Sequence, residues 1–373
     1  MFGFSEELLT AIRTKAPPSA GPLWVQLEIS NRCNVACSFC AMHGPGRYTL
    51  DGFAVSNDSN AFGYDESVVR WLGDRLQTSE MSMFVFQQAV DQTRTEGAED
   101  YNLCGLGEPT LNRAYPDMIT YIRNTGARVS LDTNGSQLLS PGAVEKLIPL
   151  GLNGLHVSIN AASEAMYRRV NGSQNSLSSI HEMLNRLTRA KRVARSEEPH
   201  LLLSMVVTQD NCSEISSFVR FANSVGARQV VFDHMVPSQL TSVEVPAGEY
   251  RERAIEDIDD ALRYGDTYGI HVISNYLRID TQQQYTIPCI IGYLFTRILA
   301  DGTVAGCCGC SHSLGKIPEQ NFRSIWYGET YRAFRAEEEV IQITHVPVKS
   351  CLCGSCPHVE TNYEYWKSIS ANC

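Results

Sequence analysis

Short apolar runs of strand character alternate with longer segments of helical pattern from residue 23 to residue 268, and this alternation limits the fold more than any other feature of the chain. The strand-type runs fall at 23–29, 100–104, 128–133, 154–160, 200–207 and 229–234. The helical patterns fall at 83–91, 115–125, 142–150, 177–192, 213–225 and 249–268. Two antiparallel strands need only a tight turn between them, whereas parallel neighbours need a crossover long enough for a helix. The expected class is therefore α/β with a parallel sheet. Six strand–helix units are too few to close an eight-stranded barrel, so a partial (β/α)6 barrel is expected. Ligands of such folds sit at the carboxyl ends of the strands.

The cysteines give the second constraint. There are thirteen, three of them within eight residues at 33, 37 and 40, and eight between 289 and 373. The first residues lack a basic stretch followed by an apolar core, so no secretory signal is read there and a cytoplasmic, reducing location is expected. An odd, clustered set in such a chain fits metal ligation better than a disulfide framework. Lys and Arg number 31 against 41 Asp and Glu, a net charge of −10 that argues against a nucleic-acid partner. No apolar run reaches the ~18 residues of a membrane span, so no membrane partner is expected.

Cys33-Asn-Val-Ala-Cys37-Ser-Phe-Cys40 offers three thiolates at C-x3-C-x2-C spacing. Three thiolates can hold three irons of a 4Fe–4S cube and leave the fourth open. Zinc would need a fourth ligand, for which His43 is the nearby candidate. With aromatic Phe39 before the last cysteine, the motif resembles that of the radical S-adenosylmethionine (SAM) superfamily. The resemblance implies a TIM-type partial barrel, a 4Fe–4S cluster on Cys33, Cys37 and Cys40, and SAM bound at its open iron.

Other motifs fall where that family places its SAM contacts. Gly105-Leu-Gly107-Glu108-Pro109 follows the second strand, and the resemblance assigns Gly105, Gly107 and Glu108 to the methionine amino group. Thr133 and Asn134 end the third strand, and Ser158 and Asn160 the fourth; the resemblance directs them to ribose and adenine, beside Phe39. Without it, these residues read as a Gly-rich turn with a capping Glu and as ordinary strand ends. In Tyr167-Arg168-Arg169-Val170-Asn171-Gly172, Asn171 stands where relatives often carry a basic residue. Residues 41–82 form an insertion that reads equally as a lid or as surface elaboration.

The chain changes character after residue 280. Cys289, Gly302 and Cys307 make a C-x12-G-x4-C pattern, with Asp301-Gly302 as a hairpin turn, and Cys353-Gly-Ser-Cys356 follows a helical stretch at 324–336. Four thiolates of this spacing hold zinc or an iron–sulfur cluster. The region resembles the twitch form of the SPASM domain, also through Phe322-Arg-Ser-Ile-Trp326 and Phe334-Arg335. That resemblance implies one auxiliary 4Fe–4S cluster on Cys289, Cys307, Cys353 and Cys356, with a second cluster, as in the full SPASM domain, the alternative that the spare Cys308, Cys310, Cys351 and Cys373 leave open. Residues 1–22 are then an N-terminal extension, 23–280 the core and 281–373 the auxiliary domain.

The resemblance implies that an electron from a flavodoxin- or ferredoxin-like partner cleaves SAM, and that the resulting 5′-deoxyadenosyl radical takes a hydrogen atom from substrate. It points to carbohydrate and aminocyclitol enzymes of secondary metabolism, hence to a small polar sugar or aminocyclitol attacked at a carbinol C–H. Cys212 follows the strand at 200–207, where a thiol could return hydrogen to the opposite face, so epimerisation is the expected outcome. Oxidation of the alcohol to a ketone through the auxiliary cluster is one alternative, and modification of a ribosomal peptide another. No stretch ahead of residue 23 has the length of a leader-binding domain, which lowers the peptide reading. A non-enzymatic iron–sulfur or zinc protein is the alternative of a different class. Cys104, beside the glycines, reads as packed.

Overall fold

A computed structural model describes residues 6–14, 18, 20–40, 42–44, 80–235, 243–274, 287–310, 312–344, 348, 351 and 359–370. The insertion expected at 41–82 lies largely outside them, and the ligand candidates Cys353 and Cys356 wholly so. The strands are β1 (Trp24–Leu27), β2 (Asp100–Leu103), β3 (Arg128–Thr133), β4 (Gly154–Ser158), β5 (His200–Val207), β6 (Gln229–His234), β7 (His271–Ser274), β8 (Phe295–Ile298), β9 (Thr303–Ala305) and β10 (Gly315–Lys316). They form one sheet in the order β10-β9-β8-β1-β2-β3-β4-β5-β6-β7. From β8 through β7 every neighbouring pair is parallel.

The helices are α1 (Glu6–Thr14), α2 (Met83–Thr95), α3 (Tyr115–Asn124), α4 (Glu164–Asn171), α5 (Leu177–Ala194), α6 (Ile215–Ser224), α7 (Glu249–Tyr268), α8 (Ile291–Leu294), α9 (Phe322–Trp326), α10 (Glu329–Thr344) and α11 (Val359–Ser370). Serine side chains start three of them: Ser82, Ser163 and Ser176 each accept a hydrogen bond from the first-turn amide of α2, α4 and α5.

Two departures from the sequence reading have local causes. The helix expected at 142–150 is a 3-10 turn, Glu145–Leu147, in a segment interrupted by Gly135, Gly142 and Gly151 at positive φ. The seventh parallel strand β7 follows α7 after Gly269, whose left-handed φ of 70° ends that helix.

Alternation within the strands separates two faces. Val25, Leu27, Val129, Leu131, Leu155, Val157, Leu201 and Leu203 are buried in the core cluster shared with Phe86, Ile119, Leu184 and Phe218 from the helices. The opposite face carries Gln26, Asn102, Ser130, Asp132, His156 and Ser158, all half-buried. A sheet with parallel strands normally buries apolar residues on both faces. One polar face therefore marks the side where something other than packing is served.

The C-terminal region is built into this sheet. β8 lies beside β1 with Trp24 opposite Phe295 and Leu27 opposite Ile298. The hairpin expected at Asp301-Gly302 joins β8 to antiparallel β9, with Gly302 at φ 89°. Arg335 of α10 is 2% exposed and lies over Tyr331 at 4.2 Å and Trp326 at 4.3 Å, while its Nε donates to Gly292 O and its Nη1 to Trp326 O. α1 packs through Leu8, Leu9 and Ile12 on Ile290, Tyr293, Leu294 and Ile369. No helix among the described residues is long and apolar enough to cross a membrane.

Candidate active site

The loop after β1 carries Cys33, Cys37 and Cys40, all free thiols and half-buried. Its backbone folds on itself through Cys40 N to Cys37 O at 2.9 Å, and it is held to α4 by Ser38 N to Val170 O at 2.8 Å. Gly172 ends α4 against Ala36, whose carbonyl oxygen would lie 2.4 Å from any added Cβ. Polar groups reach all three sulfurs. Asn134 Nδ2 donates to Cys33 Sγ at 3.9 Å, His43 N donates to Cys40 Sγ at 3.3 Å, and Cys37 Sγ lies 3.7 Å from Asn171 Oδ1.

Burial pushes the Cys33 thiol up to about 11, and the Glu108 and Cys40 charges add to it. Burial raises Cys37 further, with Cys40 and Cys33 opposing its ionisation. Thiols that resist ionisation together are matched by a bound cation or cationic cluster. A cube takes each thiolate at a separate iron, so the three sulfurs fit a 4Fe–4S cluster.

The glycines beside this loop have a packing reason. An added Cβ on Gly107 would lie 2.5 Å from Arg32 O, and one on Gly105 would lie 2.4 Å from Glu28 Cγ. The loop after β2 thus presses directly on the loop after β1. Glu108 differs from its expected role as an open acceptor for an ammonium. It is 1% exposed, and its Oε1 accepts from Thr110 N, Thr110 Oγ1 and Thr133 Oγ1 while Oε2 accepts from Asn134 N at 2.7 Å. Burial still raises its pKa despite those donors. Its carboxylate thus joins the loop after β2 to Thr133 and Asn134 at the end of β3.

The other expected contacts divide in two. Phe39, Asn134 and Ser158 are half-buried, whereas Thr133 is 3% exposed and Asn160 2% exposed. Asn160, at φ 63°, bonds Val206 N through Oδ1 and Asn171 Oδ1 through Nδ2, so its side chain ties β4 to β5 and α4. Arg168 pairs with Glu164 and Arg169 with Asp210 on the surface of α4.

Cys212 follows the carboxyl end of β5, and its side chain is buried. It is 2% exposed, lies within the apolar core, and its Sγ faces Gln209 O at 3.5 Å. Burial raises its pKa, and the charges that act on it are Arg253 and Asp257 of α7. The 3-10 turn Cys212–Glu214 directs the side chain into the packing between sheet and helices.

The polar sheet face holds a group that the sequence reading passed over. Asp132 Oδ1 accepts from Asn102 Nδ2 at 2.8 Å, and Asp132 Oδ2 lies 3.3 Å from His156 Nδ1, each side chain 24% exposed. Burial opposes both charges, yet His156 and the hydrogen bonds of Asn102 and Cys104 hold the Asp132 carboxyl below its usual range. Asp132 in turn holds the His156 imidazolium above its usual range. Cys104 is pushed well up by burial and by Asp132. Asn102, Ser130, Asp132, His156, His200 and Gln229 line a recess of about 510 Å³. The signal was the strand alternation, which puts Asn102, Asp132 and His156 on one face.

On the other side of β1, two of the expected auxiliary ligands are described. Cys289 Sγ lies 3.4 Å from Glu338 Oε1. Cys307 is 8% exposed and follows β9. An added Cβ on Gly292 would lie 3.1 Å from the Phe334 ring and one on Gly306 2.2 Å, so Phe334 gathers both cysteine-bearing segments. Cys310 and Cys351 form a disulfide, which brings the chain just ahead of Cys353 to the loop of Cys307. These thiols suit an auxiliary cluster.

Residues 27–222, more than half of the 373-residue chain, match the radical SAM superfamily, and residues 289–357 match the SPASM iron–sulfur cluster-binding domain. The chain is 21% identical to the tungsten-containing aldehyde ferredoxin oxidoreductase cofactor-modifying protein of Pyrococcus furiosus, across 84% of this chain and 83% of that one. It is 22% identical to the PqqA peptide cyclase of Xanthomonas campestris pv. campestris, across 92% of this chain and 81% of that one. The crystal structure of Streptococcus suis SuiB bound to precursor peptide SuiA shares the fold at a TM-score of 0.63 and 13% identity, covering 95% of this chain and 75% of that chain. The match over the cluster loop and barrel, joined to the cysteine-bearing C-terminal region, shows that the chain belongs to the radical SAM superfamily, with a 4Fe–4S cluster, SAM and SPASM-type auxiliary iron–sulfur binding.

Proposed function

We propose that this protein modifies a peptide, removing two hydrogens from one of its side chains in a two-electron oxidation. The observation that carries the reading is the extent of the likeness to a peptide cyclase, which runs through core and C-terminal domain over 92% of the chain. The fold shared with a peptide-bound structure supports it. The small-polyol expectation is weaker, since its thiol, Cys212, is packed in the core.

When bound, SAM and its cluster supply a radical that takes a hydrogen atom from the substrate. The chain's own residues do the rest. Cys33, Cys37 and Cys40 hold the cluster, with Cys289 and Cys307 among the auxiliary ligands. The recess on the polar sheet face, lined by Asn102, Asp132 and His156 together with the first residues of β4, β5 and β6, offers polar partners to the peptide, and the proton lost on oxidation leaves to solvent. Half-buried Cys289 and buried Cys307, beyond β1, would hold the electron acceptor beside the same sheet. A flavodoxin- or ferredoxin-like protein supplies the priming electron.

The test is anaerobic turnover with SAM, dithionite and short peptides encoded beside the gene. A peptide product two mass units lighter, formed together with 5′-deoxyadenosine, supports the reading. Stimulation of 5′-deoxyadenosine by simple sugars or aminocyclitols, and by none of the peptides, overturns it.

A further inference from the structure

A buried ion pair joins the SAM-side loops to the auxiliary cysteines. Arg297 of β8 and Glu28, next after β1, meet at 2.6 Å with side chains 3% and 1% exposed. Glu28 Oε2 also accepts from Leu106 N at 2.9 Å, inside the Gly105-Leu106-Gly107 loop. Arg297 Nη1 donates to Cys308 O at 2.9 Å, and its buried Nε has no hydrogen-bond partner. Register places Arg297 opposite Ala305, two residues before Cys307.

Burying two charges costs desolvation that an apolar pair of the same shape would avoid. β1 and β8 are already joined along their ladder, so strand pairing does not require the pair. What the pair adds is a fixed cation against the backbone of the cysteine loop and a fixed anion one step further away. Reduction of a cluster adds negative charge, and a nearby cation favours the reduced form while an anion opposes it.

We propose that Arg297 and Glu28 act as a charge pair that sets the reduction potential of the auxiliary cluster, Arg297 raising it and Glu28 offsetting the rise. Arg297 is a positioning residue here and touches no substrate. The proposal rests on the reading that Cys307 ligates that cluster.

The test is an EPR-monitored redox titration of the full-length, anaerobically reconstituted protein, with no substrate added. Arg297→Met lowers the auxiliary midpoint by a tenfold change in the one-electron equilibrium or more, about 59 mV. Glu28→Gln raises it by a similar amount, and the double variant returns close to wild type. General loosening would move both single variants the same way, so opposite signs are diagnostic. Shifts of one sign, or no shift with the cluster signal intact, overturn the proposal. If Arg297→Met fails to hold the cluster, Glu28→Gln decides alone: an upward shift supports the proposal and any other result overturns it. Cys307→Ala tests the underlying reading separately, since retention of the full auxiliary signal there shows that Cys307 is not a ligand and removes the proposal with it.

Discussion

Replacing Asp132 with Asn tests the polar sheet face most sharply, because it removes one charge and keeps the shape. The Asp132–His156 separation is 3.3 Å with both side chains 24% exposed. At an effective dielectric near 20, that separation corresponds to about 5 kcal/mol of attraction, before the cost of desolvating both groups. Removing one partner of such a pair destabilises by roughly 3 kcal/mol. The pH dependence has two limits. His156 is raised in the folded state, so its contribution is complete below the unfolded value of about 6.5 and is lost as pH climbs through the folded value. Asp132 is lowered, so its contribution is present above about 3.9 and is lost as pH falls through its folded value. The stability gap between wild type and Asp132→Asn should therefore be widest near pH 5–6 and should shrink on the alkaline side. Urea unfolding at several pH values measures the gap, and NMR of labelled histidine follows His156 directly. A His156 that titrates at the ordinary value in wild type, or that does not drop in the variant, refutes the reasoning.

Gly107→Ala must push apart the loops after β1 and β2, since its Cβ would lie 2.5 Å from Arg32 O; a loss of about 1–3 kcal/mol in denaturant unfolding and weaker SAM binding are expected. Cys212→Ala removes only core packing, so 5′-deoxyadenosine formation should stay within about twofold of wild type while stability falls by roughly 1 kcal/mol; abolished product with intact SAM cleavage would restore the thiol-return chemistry. Arg335→Ala leaves Gly292 O and Trp326 O without their donor and empties the aromatic cage, costing about 3 kcal/mol. Arg335→Lys should recover only part of this, because an ammonium cannot span both carbonyls. Thermal unfolding of the pair decides.

The parallel sheet was legible because apolar runs such as 128–133 and 200–207 are short, β-branched or leucine-rich and separated by helical periods. The cysteine motif at 33–40 was legible because ligation requires the residues themselves in close spacing. Placement was harder to read. Glu108 sits in a ligand-type motif, yet besides Thr110, two residues on, its partners are Thr133 and Asn134 at the end of β3, whose approach no local pattern encodes. The burial of Cys212 was not legible either, because the turn that follows β5 sets it. The Arg297–Glu28 pair spans 269 residues and depends on β8 docking beside β1, a pairing that a local reading of the hairpin does not contain.

The account stands on the loop of Cys33, Cys37 and Cys40 and its use to open SAM. The direct measurement is 5′-deoxyadenosine release by the anaerobically reconstituted protein given SAM and dithionite, beside the variant with all three cysteines changed to alanine. Release by the wild type and none by the variant, with loss of that cluster's iron, is the predicted result. Equal release by both proteins, or a wild type that binds zinc there and releases no nucleoside, would contradict it.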